Sequence, residues 1–200
     1  MDRKEEIILA TLELAAQNGL RTVSMQQIAD KVGIKKASVY NHFASREEIV
    51  EAMYVFLREM SAKNTGAANM DIGKLIDEHS LKEILMLTVG SYRNMSTTPQ
   101  MYMFYKIIMS ERSMDKAAAE IMATETKKMV QATTMLFYAL QAKGKVEIKN
   151  IEVAAFSFAM GIHSIIDYEC DLQQIGSDEG NHLMENYIDE FCYMYGKREA

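Results

Sequence analysis

A single proline, Pro99, interrupts 200 residues. Proline lacks a backbone N–H and clashes with the preceding helical turn, so its near absence leaves long stretches open to continuous helix. Alanine, leucine, methionine, glutamate and lysine supply the propensity, and hydrophobic residues make up 48% of the chain, enough to bury a core. The expectation is an all-α fold of about nine helices, with no convincing strand and no internal repeat.

The apolar spacing fixes where those helices lie. Ile7, Ile8, Thr11, Leu14 and Ala15 form one stripe over residues 3–18, and Gly19 supplies a residue that ends such a helix. Ser24 and Gln27 form a capping box for a second helix carrying Ile28, Ala29 and Val32 and stopping at Gly33. A third is expected over 36–43, with Val39 and Phe43 inward and Lys36, Ala37, Ser38, Tyr40, Asn41 and His42 outward. Ser45 with Glu48 opens a fourth through Ile49, Val50, Met53, Phe56, Leu57 and Met60, and 63–71 reads as a loop or break. Beyond it, Ser80 and Glu83 cap a helix to about 95, and Thr98-Pro99 starts the next. Residues 114–142 form a long helix ending near Gly144, 151–174 a further one, 176–180 a turn and 181–197 the last.

The net charge of −6 argues against nucleic-acid binding until it is divided along the chain. Residues 1–50 carry seven basic and seven acidic side chains, and residues 51–200 carry 15 basic against 21 acidic. Any DNA contact therefore has to come from a local cluster at the N-terminus. Two cysteines, Cys170 and Cys192, are too few for a disulfide framework and fit a reducing compartment. No segment reads as a run of about 20 apolar residues, and the charged start is unlike a signal peptide. The expected location is cytoplasmic, with no membrane partner.

Helix two, a turn at Gly33-Ile34-Lys35 and helix three form a helix-turn-helix arrangement, whose second helix lies in the major groove. Base edges and flanking phosphates ask that helix for short, polar and basic side chains, and its outward residues meet the demand. The run Gly33-Ile34-Lys35-Lys36-Ala37-Ser38-Val39-Tyr40-Asn41-His42-Phe43-Ala44-Ser45-Arg46-Glu47-Glu48-Ile49 strongly resembles the signature of the tetracycline-repressor (TetR) family. Residues 19–29 also fit. The likeness covers about the first quarter of the chain; the remainder is similar to the family only in length and helical character.

The resemblance implies that Ser24, Tyr40, His42 and Arg46 hold phosphates while Gln26, Lys36, Ala37 and Ser38 lie near base edges, with Asn41 on the same face. Lys35 stands where many members place a small N-capping residue, and Arg46 replaces the commoner lysine, keeping the charge with a fork suited to phosphate. Each has a plainer alternative: Tyr40 as a ring packed on helix one, His42 as a surface histidine, Lys36 and Arg46 as solvated charges. The implied organisation is a helix-turn-helix DNA-binding domain over 1–46 and a ligand-sensing and dimerisation bundle over 47–200.

One helix-turn-helix makes few contacts, so a homodimer on a palindromic operator is expected, with half-sites about 34–36 Å apart or a multiple of that. Phe158, Ile162 and Ile165 on one of the last two helices, with Tyr187, Phe191 and Met194 on the other, are the candidate dimer interface; an internal core stripe is the alternative. Residues 84–138 are dense in methionine and aromatics, adaptable linings for an apolar or amphipathic effector. Met86, Tyr92, Met101, Tyr105, Met109 and Met135 are candidate ligand contacts, against a reading as plain core. His163, four residues before Asp167, joins them as a polar residue in an apolar run. Two rivals remain: a metal-dependent enzyme in a helical bundle, for which no Glu-x-x-His pair, phosphate loop or nucleophile elbow is present, and a helical adaptor that does not bind DNA. No cofactor, metal or catalytic residue is expected.

Overall fold

Apart from one 3₁₀ turn, Leu20–Thr22, every element is an α-helix: α1 (Arg3–Asn18), α2 (Met25–Val32), α3 (Lys36–Tyr40), α4 (Arg46–Lys63), α5 (Ile72–Glu78), α6 (Leu81–Met95), α7 (Pro99–Glu111), α8 (Lys116–Ala142), α9 (Ile151–Gln174) and α10 (Leu183–Tyr195). The computed structural model describes residues 2–63, 71–95, 98–177, 179–180 and 182–197. Within them the one extended pairing is an isolated antiparallel bridge between Val146 and Gly196.

Local chemistry sets the helix ends. Gly33 closes α2 in the left-handed region at φ 74°, ψ 33°, which an L side chain seldom adopts. The Ser24 hydroxyl accepts from the Gln27 N–H while the Gln27 side chain accepts from the Ser24 N–H. Ser80 and Glu83 repeat this box at α6, and Thr98 with Pro99 starts α7. Two points differ from the expected helices. α3 stops at Tyr40, and its chain continues as a turn with Phe43 N–H donating to the Val39 carbonyl. α5 lies in a stretch to which the sequence assigned no element and is capped by Asp71, whose carboxylate accepts from the Lys74 N–H. The break expected over 63–71 falls largely outside the described residues, although α4 itself runs to Lys63.

Packing divides the chain into two units, Met1–Gly66 with Arg93–Ala123, and Ala67–Tyr92 with Thr124–Ala200. In the first, α1 packs on α2, α4 and α7, and α3 packs on α2. Ile7, Leu12, Ile28, Val39, Ile49, Met53, Leu57 and Ile107 are almost wholly buried in one shared core. α7 is thus part of the same body as the helix-turn-helix, contributing Phe104, Ile107 and Ile108.

The second unit gathers Ile84, Leu85, Phe137, Leu140, Ile162, Ile188 and neighbours around an aromatic cluster. Phe158 and Phe191 meet edge to face at 4.7 Å, Phe137 lies 5.4 and 5.1 Å from them, and Tyr187 stacks on Phe158 at 5.7 Å. Lys82 on α6 reaches both Glu185 and Asp189 on α10. α9 is, contrary to the sequence reading, long and apolar enough to cross a membrane by length and composition. Its inner side is part of this core through Ala154, Ala155, Phe158 and Ile162.

At Gly161 on α9 the Tyr187 side chain of α10 packs directly over the backbone. A Cβ there would lie 2.5 Å from Tyr187 Cζ, and the Tyr187 ring is held by its stack on Phe158 and by its hydroxyl donating to the Ser157 carbonyl at 3.2 Å. Gly161→Ala is expected to destabilise the protein by about 1–3 kcal/mol through overpacking, read as a lower urea midpoint at unchanged m-value.

Candidate functional site

Two apolar side chains orient α3. Val39 is fully buried and Phe43 nearly so, and with both drawn into the core the other side of the helix faces solvent. Lys36, Ala37, Tyr40 and Asn41 are exposed, Ser38 and His42 are half-exposed, and Ser24 and Gln26 at the start of α2 are exposed as well. Tyr40 stands 48% exposed. Nearby, Lys4 lies 5.6 Å above the Phe43 ring.

Some of these groups already have partners. Ser24 caps α2, and the Gln26 amide donates to Asp30 at 2.7 Å along its own helix, so reading a base with Gln26 requires that bond to exchange. Lys35 is the N-cap of α3 and offers no side-chain cap.

Arg46 differs most from its expected role. Its Nε donates to the Val23 carbonyl at 2.7 Å, its terminal nitrogen to the Leu20 carbonyl, and Glu47 lies 3.5 Å away. The fork ties the first turn of α4 to the chain between α1 and α2, with the side chain 26% exposed. Bonds of this kind contribute about 1.5–3 kcal/mol each.

The expected ligand contacts fall in both packing units. Met101, Tyr105 and Met109 lie on α7 in the first, each half-buried; Met86, Tyr92, Met135 and His163 belong to the second. Met135 is 67% exposed and Met86 also faces solvent, so neither lines an enclosed cavity in this state. Tyr92 is half-buried, and burial first, then the charges of Glu125 and Asp167, push its phenol up from the ordinary range. His163 is buried with its Nε2 3.9 Å from Asp167. Among the described residues no group of three His, Cys, Asp or Glu side chains is arranged to hold a metal.

The candidate dimer residues divide by face. Phe158, Ile162 and Phe191 are buried in the aromatic core of the second unit. Ile165 and Tyr187 are half-buried, and Met194 is exposed. The outward apolar residues that the sequence reading passed over are Val153, Phe156 and Tyr168 on α9 and Tyr193 on α10. Val153, Phe156, Met160 and Ser164 follow helical spacing along one side, a signal the sequence did contain.

Comparison with known proteins agrees with this architecture. The family description "Bacterial regulatory proteins, tetR family" matches residues 7–53, and "AefR-like transcriptional repressor, C-terminal domain" matches 83–197. The chain is 39% identical over 51 residues to the HTH-type transcriptional repressor KstR2 of Mycobacterium tuberculosis, and 32% identical over 60 residues to the nucleoid occlusion factor SlmA of Vibrio cholerae. These alignments cover 26% of both this chain and KstR2, and 30% of this chain and 31% of SlmA, so the chain spans about a quarter to a third of the curated relatives it matches. Similar folds include a transcriptional regulator from Saccharomonospora viridis in complex with choline, at TM-score 0.70 and 16% identity over 98% of each chain. A SmeT–triclosan complex follows at TM-score 0.68 and 12% identity, over 97% of this chain and 91% of that one. Reduced NemR from Escherichia coli has TM-score 0.65 and 13% identity, over 99% of this chain and 100% of that one.

Two stability effects are expected. Arg46→Ala should lower stability by about 2–4 kcal/mol, losing two charge-assisted bonds to backbone carbonyls, whereas Lys35→Ser should raise it by about 0.5–2 kcal/mol by capping α3. Chemical denaturation of the two variants beside the parent chain checks both.

Proposed function

Because the chain belongs to the TetR family of bacterial transcriptional regulators, whose matches cover residues 7–53 and 83–197, we propose that it is a repressor that binds a palindromic operator as a homodimer and is released by a small effector. The observation that carries the reading is the solvent-facing polar side of α3 opposite the buried Val39 and Phe43. In this reading residues 1–46 are the DNA-binding module. Lys36, Ala37 and Ser38 approach base edges with Gln26; Ser24, Tyr40, Asn41 and His42 serve the backbone; and Arg46 positions the head instead of touching phosphate. Repression follows from the relatives, both the C-terminal description and KstR2 being named for it.

The second copy docks on the outward side of α9 and α10, where Val153, Phe156, Tyr168, Tyr193 and Met194 stand exposed beside half-buried Ile165 and Tyr187. That stripe accounts for the apolar length of α9 without a membrane, and a soluble DNA-binding regulator belongs in the cytoplasm. Exposed apolar surface of this extent marks an association site.

The effector site belongs to the methionine- and aromatic-rich stretch 84–138, with the choline and triclosan complexes of similarly folded proteins as support for a small organic ligand. Its most direct route to DNA is α7. Met101, Tyr105 and Met109 lie on a helix that packs on both α1 and α4, so a ligand that shifts α7 shifts α4 and the head with it. The coupling required is modest, about 1–3 kcal/mol.

Binding to DNA from upstream of the protein's own gene, followed by gel shift across a salt series, tests the first part. Lys36→Ala is expected to weaken operator binding by about 1–3 kcal/mol and to relax the preference at the base pair it approaches. A folded dimer that retards no such DNA at low salt sinks the operator reading. For the interface, Phe156→Glu should weaken dimerisation at least about tenfold in sedimentation, roughly 1.4 kcal/mol, while leaving a folded monomer. An unchanged dimer moves the interface elsewhere.

A further inference from the structure

The first turn of α1 holds a cation that the helix itself disfavours. Arg3, Lys4, Glu5 and Glu6 follow the N-cap Asp2. Asp2 and Glu5 form a capping box, with the Asp2 N–H donating to the Glu5 carboxylate at 3.3 Å, and both acids lie at the positive end of the helix dipole, which favours them. Arg3 donates to the Glu6 carboxylate. Lys4 has no such compensation: among the described residues no carboxylate pairs with it, and the dipole opposes a cation in this turn. Its ammonium lies instead 5.6 Å from the centre of the Phe43 ring, within the range in which a ring face attracts a cation.

Phe43 gives that position its meaning. The ring belongs to the core that fixes α3, and it follows directly on Asn41 and His42, where the helix ends. Stacked on it, the exposed Lys4 is delivered to the exit of α3. This end of the head is otherwise short of charge. Lys35 and Lys36 stand at the start of α3, but residues 37–45 contain no lysine or arginine, and the Arg46 guanidinium is engaged by the Leu20 and Val23 carbonyls. A major groove is about 12 Å wide and walled by phosphates on both sides, so a helix seated in it meets phosphate beyond either end. Lys4 is the cation that folding brings to the uncovered end.

We propose that Lys4, carried on the Phe43 ring, is a further contact to the DNA backbone, neutralising one phosphate per protomer beside the exit of α3. This contact presupposes the operator reading and extends it to α1. Phosphate is the same in every sequence, so Lys4 supplies affinity and register without discriminating between bases, in contrast to Lys36.

Two variants separate this role from simple cover for the ring. Lys4→Met keeps an unbranched side chain over Phe43 without the charge, and Lys4→Arg keeps both the charge and the stack. Each is compared with the parent chain by gel shift over a salt series, on the duplex from upstream of the protein's own gene and on an unrelated duplex of equal length. Lys4→Met should flatten the log–log salt slope by about 1.8, roughly 0.9 from each protomer, and weaken both duplexes by a similar factor, at least about tenfold at ~0.1 M salt. Its melting temperature should hold or rise, since a cation leaves the positive end of α1, whereas a residue that only covers the ring would lower it and leave the slope alone. Lys4→Arg should retain the parent slope. An unchanged slope in Lys4→Met, the same loss in Lys4→Arg, or a loss confined to the upstream duplex overturns the Lys4 contact and leaves the operator reading standing; a parent chain that retards neither duplex overturns both.

Discussion

A helix of five residues has no stability of its own, because the cost of nucleating it exceeds what so few backbone bonds return. α3 persists because Val39 and Phe43 are sunk into a core that already holds Ile7, Leu12, Ile28, Ile49, Met53 and Leu57. The same burial fixes its rotation. With two side chains committed inward, Lys36, Tyr40 and Asn41 have to face water, and the polar surface that suits a DNA groove is a consequence of where the apolar atoms go. That core cannot be closed by α1, α2 and α3 alone. α4 and α7 complete it, so the helix-turn-helix and two helices beyond residue 46 form one packed body.

Arg46 ties the start of α4 to the chain between α1 and α2. The chain between α1 and α2 is a single 3₁₀ turn, and its Leu20 and Val23 carbonyls face the start of α4. A guanidinium serves both at once, which a lysine ammonium on a flexible stem does less rigidly.

The second unit is organised by aromatic packing. Phe137, Phe158, Phe191 and Tyr187 interlock where α8, α9 and α10 meet, and Gly161 allows the Tyr187 ring to approach α9 closely. Filling the interior with the phenylalanines leaves Val153, Phe156 and Tyr193 outside.

Local pattern was enough for the helices, because caps and apolar spacing act within a few residues: Ser24 with Gln27, Gly33, Ser80 with Glu83 and Thr98-Pro99 stand where their chemistry puts them. The helix-turn-helix and the outward side of α3 follow from the same short-range rules. α5 escaped because seven residues carry too little periodicity to stand out. Partners distant in the chain were beyond such rules. Arg46 finds carbonyls 23 and 26 residues earlier, and Lys4 meets the Phe43 ring across a fold that no neighbouring residue encodes. On α9, apolar residues occupy both sides, so periodicity shows two stripes and cannot choose between them; the volume of the phenylalanine cluster chose, drawing Phe158 in and leaving Phe156 out.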